Sequence, residues 1–168
     1  MSDLRDGPGN IWVVSDTHLR AGQILPDSFT KKVAREDIII HLGDFISPNI
    51  VGQIKALCRL EAVSGNCDPS AIRNDFPNEK LLNLNGHKIA LTHGKGGYLE
   101  TVKRVEREYA GKADVALFGH THVPYHAKKK GTVFFNPGSL TQSRQGPESF
   151  GLMHLGGDGV WAEIFELR

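Results

Sequence analysis

Apolar and polar positions along this chain follow two regimes, and the change between them comes near Pro69. Ile11–Val14 is an unbroken apolar run, as expected of a strand buried on both faces, and it stops at Ser15-Asp16-Thr17-His18. From Asp27, with Asp27 or Ser28 as cap, Phe29, Val33 and Ala34 recur at helical spacing, and Lys and Arg fill the last turn. A second strand, Asp37–Leu42, closes at Gly43-Asp44. Ser47-Pro48-Asn49 then opens a helix whose buried stripe is Ile50, Ile54, Leu57 and Cys58. A third, shorter strand, Glu61–Ser64, ends in Gly65-Asn66-Cys67-Asp68.

Beyond Pro69 the pattern shifts from alternating strands and helices to strand pairs. Lys80–Leu84 and Lys88–Leu91 flank Asn85-Gly86, a strong hairpin signal, and the second strand runs into Thr92-His93-Gly94. Tyr98–Tyr109 reads as a charged helix with Leu99, Val102, Val105 and Glu106 at helical spacing. The strand from Asp114 to Phe118 is broken by Gly119 just before His120-Thr121-His122. His126–Phe135 turns around Lys130-Gly131 and leads into Asn136-Pro137-Gly138-Ser139, and Phe150–Leu155 pairs with Val160–Phe165. Parallel β–α units followed by antiparallel hairpins predict an α/β fold. Its expected form is a four-layer α/β/β/α sandwich, two mixed β-sheets face to face with helices outside.

Composition narrows the class. The formal net charge of +1 provides no global basic field and so no strong nucleic-acid signal. No apolar run reaches the ~18 residues of a membrane span. The first nine residues carry acids and no apolar core, so they read as a loose leader rather than a secretory signal. Two cysteines, Cys58 and Cys67, make no disulfide framework. A cytoplasmic protein is expected, with homo-oligomerisation left open.

The predicted strand ends carry Asp16/His18, Asp44, Asn66, His93 and His120/His122. In open α/β sheets ligands gather at the carboxyl ends of strands. On extended backbone, residues i and i+2 point the same way, so Asp16 with His18 and His120 with His122 are expected to project in pairs. All seven side chains offer oxygen or nitrogen donors. Without thiolate, that set suits Mn, Fe, Co, Ni or Zn and argues against a cysteine-type structural zinc site. Seven ligands exceed the needs of one tetrahedral ion and suit two ions that share one ligand.

Asp16-x-His18, Gly43-Asp44, Gly65-Asn66-x-Asp68, Thr92-His93-Gly94 and Gly119-His120-Thr121-His122 resemble the signature blocks of the calcineurin-like metallophosphoesterases. The Gly-Asn-Cys-Asp variant, with Phe135-Asn136-Pro137-Gly138-Ser139 downstream, is similar to the small phosphodiesterase branch that includes the YfcE proteins. The resemblance implies one metallophosphoesterase domain over 1–168 holding two divalent ions, Mn²⁺ foremost, with Ni²⁺, Co²⁺, Fe²⁺ or Zn²⁺ as alternatives. It puts Asp16, His18 and His122 on one ion and Asn66, His93 and His120 on the other, with Asp44 bridging. The implied reaction is hydrolysis of a small phosphodiester by a hydroxide held between the ions. The resemblance implies that Asp44, Asn66 and His93 act through metal and phosphate binding.

Many relatives of that family carry His where Cys67 stands, as general acid or phosphate contact. A thiol with an ordinary pKa near 8.5 matches that task less well, so Cys67 is the weak candidate, and Asp68 reads as a turn residue. His41 is read as a near-core histidine that could touch the metal shell. His87 and His154 are expected at the surface, and His126 could face the cleft mouth. Phe134, Phe135 and Phe150 are expected in the core. A catalytically weak or inactive scaffold of the same fold is the alternative function, as in the retromer subunit that resembles this branch. A single-metal amide hydrolase would leave ligands surplus. Specificity is expected from the short loops 19–27, 45–49, 67–79, 94–98 and 140–149.

Overall fold

A computed structural model describes residues 9–168. Strands β1 (Ile11–Val14), β2 (Ile38–His41) and β3 (Arg59–Ala62) lie parallel, joined through α1 (Asp27–Thr30) and α2 (Pro48–Leu57). Helix α3 (Ser70–Asp75) leads to the hairpin β4 (Glu79–Leu84) and β5 (His87–Thr92), and then come α4 (Tyr98–Tyr109) and β6 (Val115–Phe118). Two more hairpins follow: β7 (Tyr125–Lys129) with β8 (Thr132–Asn136), and β9 (Ser149–Gly156) with β10 (Gly159–Glu166). The strand orders are β10-β9-β1-β2-β3 and β4-β5-β6-β8-β7; the second sheet has a parallel centre and antiparallel margins, whereas the first is antiparallel at β10-β9-β1 and parallel from β1 to its edge strand β3.

Side chains alternate across a strand, and that period sorts the apolar runs into layers. Ile11, Val13, Ile38 and Ile40 point from the first sheet towards Ile89, Leu91, Val115, Leu117 and Phe135 of the second, making the central core. Trp12, Val14 and Ile39 face the other way, onto Phe29, Ile50, Ile54 and Ile72 of α1, α2 and α3. Ala90, Ala116, Phe118 and Phe134 lie under Val102 and Val105 of α4. The result is the four-layer α/β/β/α sandwich, and Phe134, Phe135 and Phe150 are buried within it.

Local differences have local causes. The first helix ends at Thr30, short of the expected last turn with Lys and Arg, because the chain tightens into i→i+3 bonds (Lys32 N to Phe29 O, 2.9 Å) and Asp37 draws in the Ala34 amide at 2.8 Å. That Asp37 carboxylate also accepts from Trp12 Nε1 at 2.7 Å and Asn10 N at 2.7 Å. The second helix starts as expected, with Ser47 accepting from the Asn49 amide. The third strand begins two residues early, at Arg59, where the side chain pairs with Glu61. Helix α3, six residues with only Ile72 buried, replaces the loop expected after Pro69. On α4 the stripe is Thr101, Val102 and Val105, and Leu99 is 65% exposed. The expected leader lies outside the described residues except for Gly9, whose amide donates to the Glu36 carbonyl.

Phe135 reaches across the central core with no exposed surface. Phe135→Ala is expected to lower the unfolding free energy by about 3–5 kcal/mol, read from the denaturant midpoint. A loss below ~1 kcal/mol would contradict its placement between the sheets.

Candidate metal centre

The carboxyl ends of the parallel strands β1, β2, β3, β5, β6 and β8 come together along one edge of the two sheets. There the chain does not stay extended. Asp16 (φ 52°), His18 (43°), Asp44 (60°), Ile46 (74°), His120 (68°) and His122 (57°) all take left-handed backbone. Non-glycine residues pay roughly 1–3 kcal/mol each for such conformations, and only a surrounding network holds them. The expected i, i+2 projection therefore gives way to a different geometry. His120 turns towards Asn66 and His93, whereas His122 turns towards Asp16 and His18. Glycine is required where loops touch: a Cβ on Gly65 would lie 2.1 Å from Asp44 Oδ1, and one on Gly119 would lie 2.0 Å from Ser15 Oγ.

Each carboxylate at the centre has one oxygen tied down and one free. Asp16 Oδ2 accepts from Ser15 Oγ (2.6 Å) and the His120 amide (2.9 Å), while Oδ1 is buried without a hydrogen-bond donor. Asp44 Oδ1 accepts from the Cys67 amide at 2.8 Å, and its Oδ2 lies 3.3 Å from His18 Nε2 and 3.4 Å from His93 Nε2. Asp16 Oδ1 in turn lies 3.2 Å from His122 Nε2, 3.7 Å from His18 Nε2 and 3.9 Å from His93 Nε2.

Backbone carbonyls orient three of the rings. His93 Nδ1 is 2.6 Å from the Leu42 carbonyl and His122 Nδ1 is 2.5 Å from the Gln142 carbonyl. A carbonyl only accepts, so each Nδ1 carries the proton and each Nε2 presents a lone pair to the centre. By the same logic His120 Nε2 donates to the Gly96 carbonyl at 2.9 Å, which leaves its Nδ1 lone pair 3.0 Å from Asn66 Oδ1. Asn66 Oδ1 also lies 3.1 Å from His93 Nε2. Around His93, His120 and His122 acceptors thus face acceptors. Protons can relieve such a cluster in part, and cations relieve it fully.

The electrostatics agree with that description. Burial alone would raise Asp16, but contacts with the His122 and His18 rings hold it well below the usual carboxylate range. Asp44 is likewise raised by burial and driven well down by His18 and His93. Burial would lower His18, yet Asp16 and Asp44 outweigh it and raise the ring to about 9. His93 is opposed by burial and raised by Asp44, whereas burial and then His93 lower His120. Three donor groups have atoms close enough to share an ion: Asp16/His18/His122, His18/Asp44/Cys67 and Asp16/Asp44/His93. Orphaned acceptors, fixed ring tautomers and a mixed N/O set all fit divalent metal.

Several neighbours hold the centre in place. Asp68 is no simple turn residue: its Oδ2 accepts from the Gly65 amide (2.7 Å) and the Asp44 amide (2.9 Å), and its Oδ1 accepts from Ile46 (2.9 Å). It therefore clamps the left-handed loop that carries Asp44. Ser139 Oγ donates to the Asp16 carbonyl at 2.8 Å, and Asn136 Nδ2 donates to the Gly119 carbonyl at 3.0 Å, so the Asn-Pro-Gly-Ser turn supports the site. His41 does not reach the donor cluster. Its Nδ1 accepts from the Gly43 amide, its Nε2 faces Thr17 Oγ1 at 3.2 Å, and its ring stacks on Phe45. Cys67 is exposed beside the cluster, and burial of its sulfur with the Asp44 charge pushes the thiol up. His126 is exposed on β7, edge-on to Phe135, and His154 is exposed against Trp161. His87 is half-buried and bonds the Gly156 carbonyl across the sheets.

Residues 10–158 match the family model for the calcineurin-like phosphoesterase superfamily domain. The chain belongs to the calcineurin-like phosphoesterase superfamily. It is 31% identical over 159 residues to a probable metallophosphoesterase of Methanothermobacter thermautotrophicus, covering 92% of this chain and 90% of that protein. It is 33% identical over 100 residues to the phosphodiesterase YfcE of Escherichia coli, covering 55% of this chain and 50% of that one. Among solved structures, vacuolar protein sorting 29 from Cryptosporidium parvum superposes with a TM-score of 0.81 at 25% identity, over 97% of this chain and 93% of that one. The superfamily is metal-dependent, in keeping with the donor cluster. Among the described residues no helix is long and apolar enough to cross a membrane.

Burial pushes the His41 ring down to about 3. An unfolded ring titrates near 6.5, so between those values only the unfolded chain takes up this proton, and stability falls as pH falls through that window. From pH 7 to pH 5 the wild type is expected to lose about 2 kcal/mol more than His41→Asn, by urea denaturation of chelated protein. Equal losses would show that His41 is not held neutral.

Proposed function

We propose that this chain is a phosphodiesterase that works with two divalent ions, Mn²⁺ foremost, on small phosphodiesters. The carrying observation is the position of Asp44 Oδ2. It lies between His18 and His93, and so between the Asp16/His18/His122 group and the Asn66/His93/His120 group. Asp16, His18 and His122 would hold one ion, Asn66, His93 and His120 the other, and Asp44 both. When bound, the ions supply an activated water nucleophile at neutral pH and positive charge against the phosphoryl oxygens. The chain's own contribution is orientation. The Leu42, Gln142 and Gly96 carbonyls fix the ring tautomers, and Asp68 holds the Asp44 loop, so little reorganisation remains for the reaction. Cys67 keeps its proton at neutral pH and is a poor acid for an alkoxide, so substrates whose leaving group needs no proton are favoured.

The likeness in fold to vacuolar protein sorting 29 supports a second reading, a scaffold of this family without turnover. The full donor set favours the enzyme. Activity on an aryl phosphodiester is expected to vanish on chelation and return with Mn²⁺. Asp44→Asn is expected to lower kcat/KM on the order of 10³-fold, about 4 kcal/mol of transition-state stabilisation. Turnover unchanged by exhaustive chelation, or by Asp44→Asn, would overturn the enzyme reading as drawn. A metal-loaded chain that turns over no phosphodiester would leave the scaffold.

A further inference from the structure

Among the described residues three buried side-chain polar atoms have no hydrogen-bond partner. Two are Asp16 Oδ1 and His18 Nε2 at the metal centre, where missing partners call for a cation. The third, Arg104 Nε, is a donor enclosed by protein. The side chain as a whole stays 33% exposed, so a ligand meets it through its terminal nitrogens.

Arg104 lies on the wall of a groove of about 640 Å³ whose floor includes Asn66 and His93, and Arg73 and Lys95 also line it. That volume lies within the ~300–1,000 Å³ of small-molecule sites. The three cations come from three elements: Arg73 from α3, Lys95 from the glycine-rich loop before α4, and Arg104 from α4. Arg104 is pre-set, because Glu100 one turn earlier accepts from its Nη2 at 3.0 Å. Two carboxylates share the groove. They are Glu79 and, one turn beyond Arg104 on α4, Glu108. The lining therefore keeps one cation in excess, next to Asn66 and His93.

We propose that this groove is a second anion subsite, and that the substrates are phosphodiesters carrying a further phosphate on the group that lies in it. The inference rests on the phosphodiesterase reading and extends it to the substrate class. Asn66 and His93 sit at the end where the scissile phosphodiester binds, and the Arg104 guanidinium receives the second phosphate, with Arg73 and Lys95 adding charge. A guanidinium suits this because its planar donors match phosphate oxygens, and a charge-assisted bond of this kind discriminates strongly.

The test compares thymidine 5′-(p-nitrophenyl phosphate) with the same molecule bearing a 3′-phosphate, on protein loaded with Mn²⁺. The wild type is expected to prefer the 3′-phosphorylated compound in kcat/KM by about tenfold or more. In Arg104→Gln that ratio is expected to fall about tenfold, and in Lys95→Gln by a smaller factor. The ratio is taken within each protein, so a variant that folds less well still reports it. A wild-type ratio near one, or one that Arg104→Gln leaves unchanged, overturns the subsite while leaving the phosphodiesterase standing. If neither compound is cleaved, the phosphodiesterase reading fails and calorimetry with thymidine 3′,5′-bisphosphate decides the subsite. Binding to wild type and at least tenfold weaker binding to Arg104→Gln supports it, and equal binding or none overturns it.

Discussion

Electron-pair donors forced to face one another are the constraint on which the rest of this structure depends. Two buried carboxylates, an amide oxygen and three imidazoles turn their lone pairs inward, with the His18 ring among them, across gaps of about three to four ångströms. In a low-dielectric setting such an arrangement is costly unless positive charge enters it. The fold meets that cost from outside, because each donor's second polar atom is held by backbone or a hydroxyl. The two sheets are tied together by the same contacts. His93 from the second sheet bonds the Leu42 carbonyl after β2, and the His120 amide after β6 bonds Asp16 after β1.

The left-handed backbone at Asp16, His18, Asp44, Ile46, His120 and His122 follows from this demand. Extended chain would carry each donor past the centre, whereas a sharp turn straight after each strand folds it back. Asp68 illustrates how the strain is retained. Three backbone N–H groups converge on one carboxylate, and two of them belong to the left-handed residues Asp44 and Ile46. His41, neutral and stacked on Phe45, takes the Gly43 amide from the other side of the same loop. Stability and metal affinity are therefore coupled at this edge: loosening the loop would free the backbone and misplace Asp44 together.

Most strands were legible because apolar runs such as Ile11–Val14 and Val115–Phe118 are bounded by glycine or polar residues. The layering followed from period-two burial. Helix α3 was not legible, since one buried residue, Ile72, leaves no stripe to read. The candidate ligands were visible as residue types at strand ends, but the reason for their convergence was not. Nothing in a non-glycine residue announces positive φ, so the expected i, i+2 pairing named the right positions with the wrong geometry. Carbonyl partners such as Gln142 and Gly96 are invisible in principle, because every residue has a carbonyl. Arg104 was not singled out on the charged helix Tyr98–Tyr109, because only the folded chain sets it beside Arg73, Lys95 and His93.

The shared position of Asp44 is the centre of the account, and anomalous diffraction from crystals of the Mn²⁺-loaded protein tests it most directly. Two manganese peaks are predicted, one bounded by Asp16, His18 and His122 and the other by Asn66, His93 and His120. Both should lie within about 2.0–2.2 Å of Asp44 oxygen, as for ordinary carboxylate ligation. A single peak, or two peaks of which one is out of reach of Asp44, would contradict it.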